Sequence, residues 1–137
     1  MPLQNKTIML IEDDEVDAQA IKRIFKELNL KNNLDVAKDG EEAIRYLTQH
    51  LSNLPGLILL DINMPKTNGV EFLNFIKITP EFRKIPIVVL TTSNAAQDVL
   101  HAYESGAAGY LIKEMDYHKF VNVMCAAISY WNVCELP

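Results

Sequence analysis

At 137 residues with a formal net charge of −5, about half apolar and a quarter charged, the chain reads as one soluble globular domain able to bury a core. The negative balance argues against nucleic acid as a partner, because phosphates call for a basic footprint. No apolar run approaches the ~20 residues of a membrane span, and "MPLQNKTIML" lacks the basic segment and apolar core of a signal peptide, so no membrane role and a cytoplasmic location are expected.

Short apolar runs alternate with helical patterns along the chain. "TIMLI" (7–11) reads as a strand, and 15–29 follows as a helix with Val16, Ala20, Ile21, Ile24, Phe25 and Leu28 on one stripe. Asp14 is placed to cap that helix. "LDVA" (34–37) is the second strand, and 40–51 the second helix, with Ala43, Ile44, Leu47 and Leu51 inward. "LILL" (57–60) precedes a helix over 69–78 that uses Val70, Phe72, Leu73 and Ile76. "IVVLT" (87–91) precedes one over 95–105 with Val99, Leu100, Ala102 and Tyr103. "GYLI" (109–112) is the last strand, and 116–131 the last helix, with Phe120, Val121, Met124, Ala127, Ile128 and Trp131.

Five βα units in succession predict an α/β fold, a single doubly wound five-stranded parallel sheet with helices on both faces. Right-handed crossovers leave few topologies, and the order 2-1-3-4-5 fits best. In such sheets function sits at the carboxyl ends of the strands, near the point where strand order reverses.

That rule gives meaning to the acids that end the apolar runs. "EDD" (12–14) follows strand one, and Asp61 follows strand three. With those strands adjacent, Glu12, Asp13 and Asp61 converge and repel one another. A hard divalent cation would relieve the repulsion, and an all-oxygen set points to Mg2+ or Mn2+ rather than zinc. Strand four ends in hydroxyls at Thr91, Thr92 and Ser93, and strand five places Lys113 beside the acids. Acids, metal, hydroxyl and ammonium together suit a phosphoryl group. Asp61 is then a candidate nucleophile, since carboxylates form aspartyl phosphates. Singly, a strand-end aspartate is usually a cap, a lysine usually snorkels and a threonine is usually a β-former. Their joint occurrence at four strand ends is what argues for a site.

Other reactive residues carry less. Cys125 and Cys134, on one helix, would stand about 13 Å apart along its axis, too far for a disulfide. His50, His101 and His118 lack metal-ligand spacing.

"IMLIEDD", "LILLDINMPKTNG", "IVVLTTS" and "GAAGYLIK" together resemble the receiver domain of bacterial two-component response regulators, over roughly residues 6–131. The resemblance implies a flavodoxin-like (CheY-like) fold and a phosphoacceptor, Asp61, served by a sensor histidine kinase or phosphotransfer protein. It implies that Asp13, Asp61 and the backbone carbonyl of Asn63 ligate Mg2+, with Glu12 helping directly or through water. Lys113 would pair with a phosphoryl oxygen and with Asp61, Thr91 would turn its hydroxyl onto the phosphoryl group, and Tyr110 would be the switching aromatic. Asn63 and Ser93 occupy positions that tune dephosphorylation. Pro65 would shape the turn after strand three, and Gly69 would open the next helix. The face of helix four, strand five and helix five, with His101, Tyr110 and Tyr117, would meet a downstream protein.

One departure from the family is Glu114, where proline usually follows the lysine, commonly with a cis peptide bond. Cis costs about 2.5–4 kcal/mol without proline, so Lys113–Glu114 is expected to be trans. Only "NVCELP" follows 116–131, so a single receiver over 1–137 with no output domain is expected. "EDD", "QHLSNLPG" and "KITPEFRKIP" are similar to small regulators paired with bacterial phytochromes. Homodimerisation through the last helices is open, with Tyr130 and Trp131 as candidate contacts, and so is a core role for Trp131. A haloacid-dehalogenase-like phosphatase would usually need a second aspartate where Asn63 stands. A phosphorylation-independent module would be expected to have lost an acid or the lysine.

Overall fold

The computed structural model describes residues 2–64 and 68–137, the side chain of Gln4 excepted. Pro65, to which the resemblance assigns the turn, lies outside the described residues.

The strands are β1 (Ile8–Ile11), β2 (Leu34–Ala37), β3 (Leu57–Leu60), β4 (Ile87–Thr91) and β5 (Gly109–Ile112). The helices are α1 (Glu15–Glu27), α2 (Gly40–Gln49), α3 (Gly69–Ile78), α4 (Ala96–Glu104) and α5 (Tyr117–Val133). All pairings are parallel, in the order β2-β1-β3-β4-β5. A short 3-10 turn over Leu3–Asn5, of which the apolar pattern gives no sign, packs Leu3 into the core.

Alternation along the strands splits the core in two. Met9, Ile11, Ile58, Leu60, Ile87 and Val89 face Leu47, Phe72, Leu73, Ile76 and Ala102 from α2, α3 and α4. Ile8, Leu10, Leu57, Leu59, Val88 and Leu90 face Ile21, Ile24, Phe120, Met124 and Ile128 from α1 and α5. β1, β3 and β4 are buried throughout, as near-continuous apolar runs require, whereas edge strands β2 and β5 are mostly half-buried.

Helix starts follow local capping. Asp14 accepts hydrogen bonds from the backbone N–H groups of Val16 and Asp17, Asp39 from Glu42, Asn68 from Val70, and Asp116 from His118 and Lys119. α1 ends two residues before the expected Asn29, which takes a left-handed φ of 55° that no helix continues. α2 stops at Gln49, leaving Leu51 exposed rather than inward. Val16 also faces water. Leu100 and Tyr103 are exposed too, and Ala102 is the buried residue of α4.

Candidate functional site

Ladder hydrogen bonds carry the strands one residue past their ends. Glu12 N–H donates to Ala37 O at 2.9 Å, Asp61 N–H to Ile11 O at 3.1 Å, and Lys113 N–H to Thr91 O at 2.8 Å. Ile11 pairs with Leu60, and Thr91 with Ile112. Glu12, Asp61 and Lys113 are therefore fixed by register at one rim of the sheet, beside Thr91.

All four are buried. The oxygens offered by Glu12, Asp13 and Asp61 lie within 4.8 Å of one another, with Asp13 exposed at the mouth. Lys113 answers the charge from inside. Its Nζ bonds to Glu12 Oε1, to Asp17 Oδ2 at 2.9 Å and to Asp61 Oδ2 at 3.2 Å. Burial pushes the Glu12 carboxyl up to about 7, the Asp61 charge adds to this, and Lys113 opposes it. Burial also disfavours the Lys113 ammonium, but the bonds it donates to Glu12 and Asp17 and the charge on Asp61 outweigh it, so its pKa rises. Lys113 is held charged.

A second set of bonds runs away from the acids. Asn63 N–H donates to Asp61 Oδ1 at 3.0 Å, and its amide donates to Thr91 Oγ1 at 2.9 Å. Ser93 N–H reaches the same oxygen at 3.4 Å, while Ser93 Oγ donates to Asp98 Oδ2 at 2.5 Å. Tyr110 is half-buried, and its hydroxyl donates to Ser93 O at 2.8 Å. Thr91, Ser93, Asp98 and Tyr110 thus link the rim to the start of α4.

The structure brings every sequence-derived site residue into one neighbourhood. Glu12, Asp13, Asp61, Thr91 and Lys113 form its centre, and Asn63, Ser93 and Tyr110 its flank. No cis peptide occurs among the described residues, so Lys113–Glu114 is trans, and Lys113 still reaches the acids. Asp17 and Asp98 escaped the sequence reading. Asp17 follows the Asp14 cap by three positions, and the first turn of a helix behind a strand-end acid is the signal that could have found it.

The donor set is oxygen throughout and tightly spaced, so it fits a hard divalent cation.

Comparison with known proteins decides the family. A model of the response regulator receiver domain matches residues 8–124. The chain belongs to that family. It is a two-component response regulator receiver, a signalling domain that interacts with phosphodonor kinases and downstream targets. The receiver is similar to response regulator Rcp1 of Synechocystis sp., 35% identical over an alignment of 130 residues that covers 92% of this chain and 88% of that protein. It is as similar to the probable methanogenesis regulatory protein FilR2 of Methanothrix harundinacea, 35% identical over 90% of this chain and 82% of that protein. The phosphorylated cyanobacterial phytochrome response regulator RcpA superposes with a TM-score of 0.88 at 32% identity, covering 96% of this chain and 98% of that one. The Mn2+-bound form of Rcp1 superposes with a TM-score of 0.86 at 34% identity, covering 96% and 99%. No helix among the described residues is long and apolar enough to cross a membrane.

Proposed function

We propose that Asp61 accepts a phosphoryl group from a sensor histidine kinase or phosphotransfer protein, in a reaction that requires Mg2+ or Mn2+. The observation that carries the reading is a buried aspartate shared by a charged lysine and a backbone N–H, with two further acids beside it. Glu12, Asp13, Asp61 and the backbone carbonyl of Asn63 would hold the ion. When bound, the ion offsets negative charge on the acids and on the phosphoryl oxygens.

The chain's own residues do the rest. A carboxylate oxygen of Asp61 attacks phosphorus, the P–N bond to the donor imidazole breaks, and the imidazole leaves with its electron pair. Lys113 keeps its charge and opposes the dianion that arrives. Thr91 gives up the Asn63 amide and turns its hydroxyl to a phosphoryl oxygen. Tyr110 leaves the Ser93 carbonyl and turns inward, moving the α4-β5-α5 face that carries His101 and meets the downstream protein. Tyr117 of that face stacks under Arg23 of α1, whose guanidinium lies 4.4 Å from the ring centroid. Asn63 and Ser93 would set how fast water removes the phosphoryl group, which the receiver itself assists.

The likeness to the phytochrome response regulator RcpA supports a phytochrome-type sensor as donor, and the reading takes the chain as a single receiver over 1–137 that works in the cytoplasm through protein contacts. A homodimer through α5 is part of the reading, with Tyr130 exposed for it. Trp131, half-buried and packed against the core cluster that α1 and α5 build, serves the core.

With phosphoramidate or acetyl phosphate as donor, the protein should take up phosphorus only with Mg2+ or Mn2+, and Asp61→Asn should take up none. Undiminished labelling of that variant would remove Asp61 as acceptor. A phosphatase reading has little to stand on, because Asn63 occupies the acid-base position and its amide is committed to Thr91.

A further inference from the structure

We propose that Asp17 is a positioning residue for phosphoryl transfer, holding the Lys113 ammonium over the acceptor while the other partners of that ammonium are drawn elsewhere. The inference rests on the reading of Asp61 as phosphoacceptor.

An ammonium offers three protons. Lys113 directs one each to Glu12, Asp17 and Asp61. Two of those partners have other work. Glu12 belongs to the acid group that suits a cation, and a carboxylate that turns toward a cation shares its charge with it. Asp61 becomes a mixed anhydride, and its bonded oxygen loses most of its charge. Asp17 has neither duty. It lies outside the group of acids that converge within 4.8 Å, on the first turn of α1, and meets Lys113 at 2.9 Å.

Its backbone is anchored independently. Asp17 N–H bonds to the Asp14 cap at 3.2 Å, and the next residue, Ala18, is buried against the sheet. The carboxylate is therefore carried on a rigid element rather than a loop. Its side chain is 41% exposed against 7% for Lys113. It acts as a tether from the solvent side, on a charge that cannot leave the interior. Without it, a four-carbon stem would let the ammonium drift toward whichever acid is free. Position matters because the charge of Lys113 helps only where the new oxygens appear.

The test uses the full chain, phosphoramidate and saturating Mg2+. Asp17→Asn should lower the rate at saturating donor about tenfold and leave the half-saturating donor concentration unchanged, since a displaced ammonium is felt in the transition state. Asp17→Glu should recover most of the rate, because it returns the charge. Thermal melts of both variants check that the fold persists, as expected for a partly exposed side chain. A wild-type rate in Asp17→Asn overturns the proposal. So does a slow Asp17→Asn with no recovery in Asp17→Glu, or one whose defect lies in donor concentration alone. Asp61→Asn run alongside keeps the two readings apart. Labelling that persists there removes the acceptor assignment, whereas a dead Asp61→Asn beside an unimpaired Asp17→Asn removes only the role of Asp17.

Discussion

Asp13 shows how the rim trades stability for binding. Of the three acids whose oxygens converge within 4.8 Å, it alone is exposed, and among the described residues no lysine pairs with it. Lys113 cannot offset all three charges, so without a cation Asp13 adds repulsion. At the intermediate dielectric of a protein rim, a neighbouring like charge costs on the order of 1 kcal/mol once salt screens it. Asp13→Asn should therefore raise the melting temperature of the metal-free protein while shrinking the further rise that Mg2+ produces. Melts with and without Mg2+ read both signs. A variant that melts lower without the ion and gains as much from it would make Asp13 a structural acid. These central residues were legible in the sequence because each ends a strand or lies within two residues after one, where pattern alone fixes position. Asp17 and Asp98 were not, because they project from helices, and only the finished packing shows which way a helical acid reaches.

Elements owe their placement to a few close approaches. A Cβ on Gly69 would sit 2.5 Å from Ile62 Cα and 3.1 Å from Asp61 O, against backbone that cannot yield cheaply. Gly69→Ala should cost about 2 kcal/mol or more and slow phosphorylation, because the atoms displaced adjoin the acceptor. Gly109→Ala is the matched control. There the new carbon meets only Val88 methyls at 3.6 Å, an ordinary contact, and stability should change by less than about 1 kcal/mol. Denaturant melts of the pair separate crowding from the general effect of losing glycine. Another tie joins α2 to β2, where the Tyr46 hydroxyl donates to Asp35 Oδ2 at 2.6 Å. Burial first, and then Asp35, push that phenol up to about 12 from an ordinary value of 10. The folded chain thus keeps a proton that the unfolded chain releases. The resulting stability is fully present below pH 10 and is lost between pH 10 and 12. Tyr46→Phe should cost about 1–2 kcal/mol at neutral pH, and its deficit should shrink across that window in urea titrations. Strand positions came through in the sequence to within a residue, since buried parallel strands are short apolar runs. The third helix matched its expected 69–78, but the far ends of α1 and α2, both ends of α4 and α5, and several outward residues did not. The stripes of α2 and α4 counted Leu51, Leu100 and Tyr103 as inward, and periodicity cannot tell how far the sheet extends beneath a helix.

Across the whole molecule, anchoring is uneven in a way that suits a switch. β1, β3 and β4 are buried from end to end, and α1 and α5 close one face with long apolar side chains. α4 is different. It spans Ala96–Glu104, has no side-chain cap hydrogen bond at its start, and has Ala102 as its buried residue, while Leu100 and Tyr103 are 58% and 50% exposed. Little apolar area is lost if α4 shifts, so its displacement costs less than that of any helix seated by leucine or phenylalanine. What steadies its approach is polar, namely Ser93 on Asp98, Ser93 N–H on Thr91, and Tyr110 on the Ser93 carbonyl. Those bonds start at the residue expected to turn toward the phosphoryl group. Phosphorylation should therefore change amide hydrogen exchange most strongly over residues 92–104 and around Tyr110, with α1 and α2 little altered. Asp98→Ala should raise exchange at the start of α4 before any phosphoryl group is added, because Ser93 Oγ loses its acceptor. A response spread evenly over all five helices, or concentrated at α2, would mean that the rim reaches its surface by a route other than Thr91 and Ser93.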